Sequence, residues 1–428
     1  MTNMIYTAMP ALPKKHHTNA VVLPSEWNTC PLSSIVEEIS ETVGTRKIET
    51  ISISAGIGFV NQAEKFGREL SGKQYEKYIV LHKGDFSYNK GNSNIYPQGC
   101  IYRLNNRTEA AVPNVFESFR VSVGNPDYYE QLFLSGFLNR QLYSKINRGV
   151  RDNGLLNLKG KDFYSCEVPY PPLAEQERIA EILIQCDRVI EVKEQKLDEL
   201  KQLKKEFLRK MFPAKGCDTP EIRFPGFTGA WEQRKLGNIS DFITKGATPT
   251  TYGFSWESSG IPFFRNDSIK NNVFVFGEFS YISEAANEAL KRSEVQEDDI
   301  LIAITGEIGK VGIIPASVKK ANINQHTARI RIHKDALPYF VYQYLASDET
   351  QKEYQKIKTG ISMPQLSLEQ VRKIAIRIPE EDEQKRIAEC LSNLDTLITL
   401  HQRELEETKT YKKTLAKLLL TGIVRVQG

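Results

Sequence analysis

One stretch of this chain occurs twice, and that repetition constrains the fold more than any other feature. The first copy begins Pro172-Leu-Ala-Glu-Gln176-Glu-Arg178-Ile-Ala-Glu181, and the second reads Glu380-Glu-Asp-Glu-Gln384-Lys-Arg386-Ile-Ala-Glu389. Each opens a run of about 40 residues with no internal Pro or Gly. A typical globular helix has only about 11–12 residues. At 1.5 Å per residue, each run spans roughly 60 Å as a helix.

Within the first run, Leu183, Cys186, Ile190, Leu197, Leu200 and Phe207 recur at spacings of three, four and seven, the first gap of seven passing over position 193. Leu391, Leu394, Ile398, Leu405 and Leu415 follow the same track in the second. This is the apolar seam of a coiled coil. The skipped seam position is polar in both copies, Lys193 and His401, and reads as a side chain reaching outward at the seam edge. Pro172 suits a first helical turn, and Pro213 and Gly422 end the two runs. Glu175, Glu177 and Glu381 to Glu383 sit in the first turns. Lys204, Lys205, Arg209, Lys210, Lys412, Lys413 and Lys417 sit near the last. That order suits the helix dipole.

The repeat extends into the sequence ahead of each helix. Trp27, Leu32, Ile35 and Ile39 have the spacing of Trp231, Leu236, Ile239 and Ile243. Leu156, Leu158 and Pro169 have that of Leu366, Leu368 and Pro379. The chain is therefore an internal duplication of block plus helix. Its expected segments are an N-terminal arm over 1–26, a first block over 27–171, a long helix over 172–212, a linker over 213–230, a second block over 231–379 and a second long helix over 380–422. Both blocks mix strands and helices. In the first, Ile51 and Ile53 alternate with serines, and Tyr78–Leu81, Phe86–Tyr88 and Phe119–Val123 read as short strands ahead of a helix over Tyr128–Ile146. In the second, Leu301–Ile304, Val311–Ile314 and Ala328–Ile332 are strands, and Tyr339–Ile357 is the matching helix. The linker carries Pro220, Pro225 and Gly226. Between shared landmarks the blocks differ widely, as two readers of two different targets would.

No catalytic constellation emerges. Asn125-Pro126-Asp127-Tyr128 departs at its third residue from the Asn-Pro-Pro-Tyr loop of adenine methyltransferases, and no Gly-rich nucleotide loop accompanies it; it reads as a helix cap. Thr305-Gly306-Glu-Ile-Gly309-Lys310 lacks the spacing and the Ser or Thr of a phosphate loop and reads as a tight turn between strands. Asp298-Asp299 reads as a solvated turn. His401 has no second ligand at helical spacing, so no metal site is expected.

Net charge is +4, which permits nucleic-acid binding without arguing for it. The six cysteines show no CxxC, as expected of reduced thiols in the cytoplasm. No apolar run reaches bilayer-spanning length, and no secretory signal opens the chain.

Trp231-Glu-Gln-Arg-Lys-Leu-Gly-Asn-Ile239, Ile261-Pro-Phe-Phe-Arg-Asn-Asp267, the linker Pro220-Glu-Ile-Arg-Phe-Pro-Gly-Phe227 and the Gln-x-Arg-Ile-Ala-Glu opening of each helix occur together and in order. In these, nearly the whole chain resembles the DNA-specificity subunit of type I restriction–modification systems. The first block departs somewhat, since Trp27-Asn-Thr-Cys-Pro-Leu32 has no Phe-Pro-Gly-Phe lead-in.

The resemblance implies an α+β fold: two mixed target-recognition domains separated by two long antiparallel helices in a pseudo-twofold duplication. It also implies a non-catalytic subunit that reads a bipartite, asymmetric site in double-stranded DNA with a fixed unread gap, with the coiled coil as ruler. With the blocks about 40–50 Å apart, half-site centres would lie roughly 12–14 base pairs apart. The implied partners are two modification subunits, carrying S-adenosylmethionine chemistry at adenine, and two restriction subunits, using ATP and Mg; no cofactor belongs to this chain. Residues suited to DNA contact are Lys90, Asn92, Asn94, Arg148 and Arg151 in the first block. In the second they are Thr248, Thr250, Tyr252, Arg265, Asn266, Lys310, Asn324, Gln325 and Lys358. Partner docking is expected on the outward helix turns carrying Gln176, Arg178, Glu181, Gln384, Arg386 and Glu389. The alternative is a coiled-coil scaffold that joins two protein-binding modules without DNA recognition.

Overall fold

The computed structural model describes residues 23–67, 72–91, 96–146, 156–277, 279–333, 335–360 and 362–426. Most of the expected N-terminal arm lies outside them. The chain divides into two compact units. One holds the residues up to Val192 together with those from Glu404 onward, and the other runs from Lys193 to Arg403. Each unit thus joins one block to part of each long helix.

In the first unit, Asn28–Pro31 pairs antiparallel with Glu167–Tyr170, Asn28 opposite Tyr170. The start of the block is tied to its end just before the long helix departs. A four-stranded antiparallel sheet runs in the order Val36–Glu38, Glu117–Val121, Phe86–Asn89, Cys100–Arg103. Two ribbons flank it, Ile51–Ser54 with Gly58–Asn61 and Ile79–His82 with Glu109–Val112. The core is aromatic: Phe86 stacks on Phe119 at 5.5 Å and Tyr88 on Phe163 at 4.6 Å. Ile179 and Leu183 of the first long helix and Leu419 of the second pack into this core. Ser52 is buried with Ile51 and Ile53, so this strand is covered on both faces rather than alternating in and out.

The second unit repeats the plan. Glu232–Lys235 pairs with Ala375–Ile378, and a four-stranded sheet runs Ser240–Lys245, Thr327–Ile332, Ile300–Ala303, Val311–Ile313. A three-stranded sheet, Ser280–Ile282, Ile261–Phe264, Asn322–Ile323, contains a parallel pair and makes the block mixed. Trp231, Phe212, Phe340 and Tyr354 fill the core with Ile387 and Leu391 of the second long helix.

The long helices are Leu173–Lys210 and Glu381–Leu420. Their seam residues Leu183, Leu197, Leu200, Leu391, Leu394 and Leu405 are buried. Within the second unit, Lys204 near the end of the first helix donates to Asp395 near the start of the second. Within the first, Lys412 and Asp187 make the reciprocal contact. The helices therefore pair antiparallel, and the α+β repeat expected from the sequence is present.

Two expected helices are each split. Tyr128–Ile146 becomes Pro126–Leu134 and Asn139–Lys145, because Gly136 adopts a left-handed φ of 75° that a helix cannot continue through. Tyr339–Ile357 becomes Pro338–Ala346 and Asp348–Ile357. There Ser347 turns extended and its side chain caps the next helix at Thr350 N. No helix among the described residues is long and apolar enough to cross a membrane.

Candidate nucleic-acid interface

In the second unit, four loops converge at the ends of the two sheets. The connection between Asn322–Ile323 and Thr327–Ile332 is the hub. Asn324 N donates to Phe264 O at 3.1 Å, which ties the hub to the loop carrying Arg265 and Asn266. Ile304 N donates to His326 O at 2.9 Å, and Leu366 N to Ile304 O at 2.9 Å. Gly306 N reaches Pro364 O at 3.0 Å, and Thr359 and Gln365 exchange two backbone bonds of 2.8 and 2.9 Å. The loop over 304–310 and the described residues 358–360 and 362–366 are thereby fastened to the hub.

The fourth loop, 246–252, is held by contact. A Cβ on Gly246 would lie 1.8 Å from Ile323 O, so only glycine lets the two backbones meet. Thr248 Oγ1 then donates to Gln325 Oε1 at 2.6 Å. Gln325 Nε2 lies 3.1 Å from His326 Nε2.

The candidate side chains on these loops divide by exposure. Thr250, Tyr252, Arg265, Gln325 and Lys358 are exposed. Arg265 is braced, with its guanidinium 5.3 Å from the Trp256 ring centre and donating to Ser280 Oγ at 2.9 Å. Lys358 donates to Gln355 Oε1 at 2.8 Å. Thr248, Asn266 and Lys310 are half-buried, and Lys310 is paired with Glu307. Asn324 is buried; its Oδ1 accepts from His326 N at 3.2 Å and Thr327 Oγ1 at 2.9 Å, so it shapes the hub rather than facing outward. In the first unit Lys90 is only partly exposed and paired with Glu117. Asn92, Asn94, Arg148 and Arg151 lie outside the described residues.

Sequence reasoning missed His326, Trp256 and Gln365. His326 and Gln365 carry no motif, and Trp256 is visible only as an aromatic in a polar stretch. The motifs weighed for catalysis are structural. Asn125 Oδ1 accepts from Asp127 N and Tyr128 N, capping its helix as expected. The Thr305–Lys310 stretch joins two antiparallel strands, Ile300–Ala303 and Val311–Ile313, but with seven intervening residues it is no tight turn. Asp299 is not solvated. It is buried and takes two bonds of 2.7 Å from Arg331, which raise the Arg331 pKa. Burial raises the neighbouring Asp298 carboxyl.

The first turns of the long helices also differ from an outward docking face. Gln176 and Gln384 are buried. Gln176 Oε1 accepts from Asn125 N at 2.8 Å while its Nε2 donates to Pro171 O at 2.8 Å. Gln384 does the same with Leu337 N and Pro379 O, at 3.0 Å each. Each glutamine fastens its long helix to a helix N-terminus of its own block, a place where backbone N–H groups lack partners. Beside them, Glu175 and Glu383 lie in the first turns, as expected, and are buried. Arg425 grips Glu175 in a fork at 2.6 and 2.8 Å, and Arg223 of the linker grips Glu383 at 2.7 Å twice. Residues beyond the second helix thus do for the first block what the linker does for the second. Glu181, Arg386 and Glu389 are exposed, and Arg178 is half-buried and paired with Glu181 at 2.5 Å.

The type I restriction modification DNA specificity domain matches the chain twice, over residues 24–202 and 229–410. The EcoBI specificity subunit of Escherichia coli is 23% identical over 404 residues, covering 87% of this chain and 80% of that one. The MjaVIII specificity subunit of Methanocaldococcus jannaschii is 27% identical over 295 residues, covering 67% and 68%. The crystal structure of the type I restriction–modification S subunit from M. genitalium shares the fold, with a TM-score of 0.57 at 16% identity over 96% of this chain and 99% of that one. A chain from a structure of type I complex assembly and conformational transition aligns with a TM-score of 0.56 at 17% identity, covering 93% and 98%. Two matches to one domain, spanning most of the sequence, place this chain in the family of DNA-specificity subunits of type I restriction–modification enzymes, the non-catalytic component that selects the DNA.

Proposed function

We infer that this chain reads a bipartite, asymmetric sequence in double-stranded DNA, one half with each block, across a gap of fixed length. The observation that carries this is the internal repeat: both blocks share one four-stranded sheet order, while the loops between the strands differ. A common frame with different loops suits two readers of unlike half-sites, since loops on a rigid frame are where recognition sits. In the second block the exposed Thr250, Tyr252, Arg265, Gln325 and Lys358 are assigned to DNA, with Arg and Lys positioning the phosphates.

The bound complex directs adenine methylation by two modification subunits, which hold S-adenosylmethionine, and cleavage by two restriction subunits, which use ATP and Mg, in the cytoplasm. Arg178, Glu181, Arg386 and Glu389 are the side chains offered to the modification subunits. Weak net charge argues that this chain alone binds DNA poorly and that its partners complete the positive surface. Gel retardation tests this reading. Sequence-selective retardation is expected with the modification subunit present. Tight, salt-resistant specific binding by the chain alone contradicts the shared surface, and no selective retardation by the assembled complex contradicts DNA reading.

A further inference from the structure

Gln325 combines a fixed backbone with an exposed side chain held at both ends. The backbone on either side is set by buried or backbone bonds: Asn324 N to Phe264 O, Ile304 N to His326 O, and the buried Asn324 Oδ1 taking His326 N and Thr327 Oγ1. The carboxamide is held by Thr248, which donates to its oxygen at 2.6 Å, and by His326 Nε2, 3.1 Å from its nitrogen. A carboxamide has two N–H donors and two acceptor lone pairs. Those contacts occupy one of each. One N–H and one lone pair remain on an exposed group.

That pair complements the major-groove edge of adenine, where N7 accepts and the N6 amino group donates. We propose that Gln325 reads one adenine in the half-site of the second block, with Thr248 and His326 as positioning residues that hold the carboxamide plane. The proposal rests on the DNA-reading assignment above and adds the base and the residues that select it. The neighbours do not compete for this role: Asn324 is buried, and Lys310 is paired with Glu307. A glutamine already held at both polar atoms has little rotamer freedom left to lose on binding, which sharpens discrimination. His326 Nε2 accepts from the carboxamide only while its imidazole is neutral with the proton on Nδ1.

The test is the map of methylated adenines in DNA from cells expressing the full chain with its modification subunit. Replacing residues 231–379 identifies which half belongs to the second block. In that half, Gln325→Ala is expected to lower the preference for one A·T pair about tenfold or more. Gln325→Glu is expected to move it toward C·G, because a carboxylate accepts from the cytosine amino group. Thr248→Val and His326→Phe are expected to weaken the same position several-fold, with every other position and the whole other half unchanged. A merely structural role would weaken all positions of the half together, and that result overturns the proposal. An unchanged motif in Gln325→Ala and Gln325→Glu overturns it too, while leaving DNA reading intact. If both Gln325 variants are inactive, unchanged base preference in Thr248→Val and His326→Phe overturns it. If the wild-type chain directs no methylation, the underlying assignment falls and this proposal with it.

Discussion

Lys204 Nζ lies 2.6 Å from Asp395 Oδ1, and the same contact recurs between Lys412 and Asp187 at 2.5 Å. The offset is identical, since 412 minus 204 and 395 minus 187 both give 208. The surroundings are not identical. Asp395 also accepts from Tyr339 at 2.6 Å and Gln343 at 2.7 Å, whereas among the described residues Asp187 accepts only from Gln131, at 2.9 Å, besides its lysine. Asp395 is also the less exposed, at 25% against 45%. Removing a charged acceptor strands its donors, at about 1.5–3 kcal/mol for such bonds. Asp395→Ala is therefore expected to lower stability by about 2–3 kcal/mol and Asp187→Ala by roughly half as much. Urea unfolding of the two variants checks the order; equal losses contradict it.

Gln384→Ala leaves Leu337 N and Pro379 O without their partner, and Gln176→Ala does the same to Asn125 N and Pro171 O. Each stranded buried group costs about 1–3 kcal/mol. Both variants are expected to unfold at lower urea, whereas Arg386→Ala with Glu389→Ala is expected to leave the midpoint in place and weaken assembly with the modification subunit. Co-purification and unfolding together separate the two effects.

Much of this architecture was legible because it depends on periodicity and repetition. The seam leucines, the block-to-block spacings and the strands at Phe86, Leu301 and Ala328 all follow from local pattern. The helix break at Gly136 was not legible, because the apolar stripe of Leu132, Phe133, Phe137 and Leu142 continues across it, whereas the break at Ser347 falls where an apolar run gives way to the polar Asp348–Glu353. Gln176 and Gln384 looked like outward features of an acidic helix start. Their partners, Asn125 and Leu337, are 51 and 47 residues away, so sequence spacing gave no hint of burial. The grips on Glu175 by Arg425 and on Glu383 by Arg223 were hidden for the same reason, at separations of 250 and 160 residues. At the loops proposed to face DNA, Gln325 and Thr248 could be chosen as polar loop residues. The contact joining them spans 77 residues and became visible only in the fold.

Gly246→Ala tests the loop packing. Its new methyl would meet Ile323 O and push loop 246–252 away from the hub. Overpacking of this kind costs about 1–3 kcal/mol. Methylation at the half-site of the second block is expected to fall more than tenfold with the chain still folded by circular dichroism. Unaltered methylation contradicts the role given to this loop.

The cysteines give a check on the core. Burial pushes the Cys100 and Cys166 thiols up to about 11, and raises Cys30, Cys186 and Cys390 as well. The thiolate is the reactive form, so at pH 8 a thiol of pKa about 11 is ionised roughly one part in a thousand. Cys217 is exposed. At pH 8 a thiol reagent is expected to label Cys217 first, and Cys100 and Cys166 only after denaturation. Rapid native labelling of Cys166 contradicts the packing of the first block.

The most direct measurement is a genome-wide map of methylated adenines in cells expressing this chain with its modification subunit. A single two-part motif with a fixed gap is expected, and replacing residues 231–379 with the corresponding block of another specificity subunit should change one half only. No new methylation from an assembled complex, or a replacement that alters both halves, contradicts the account.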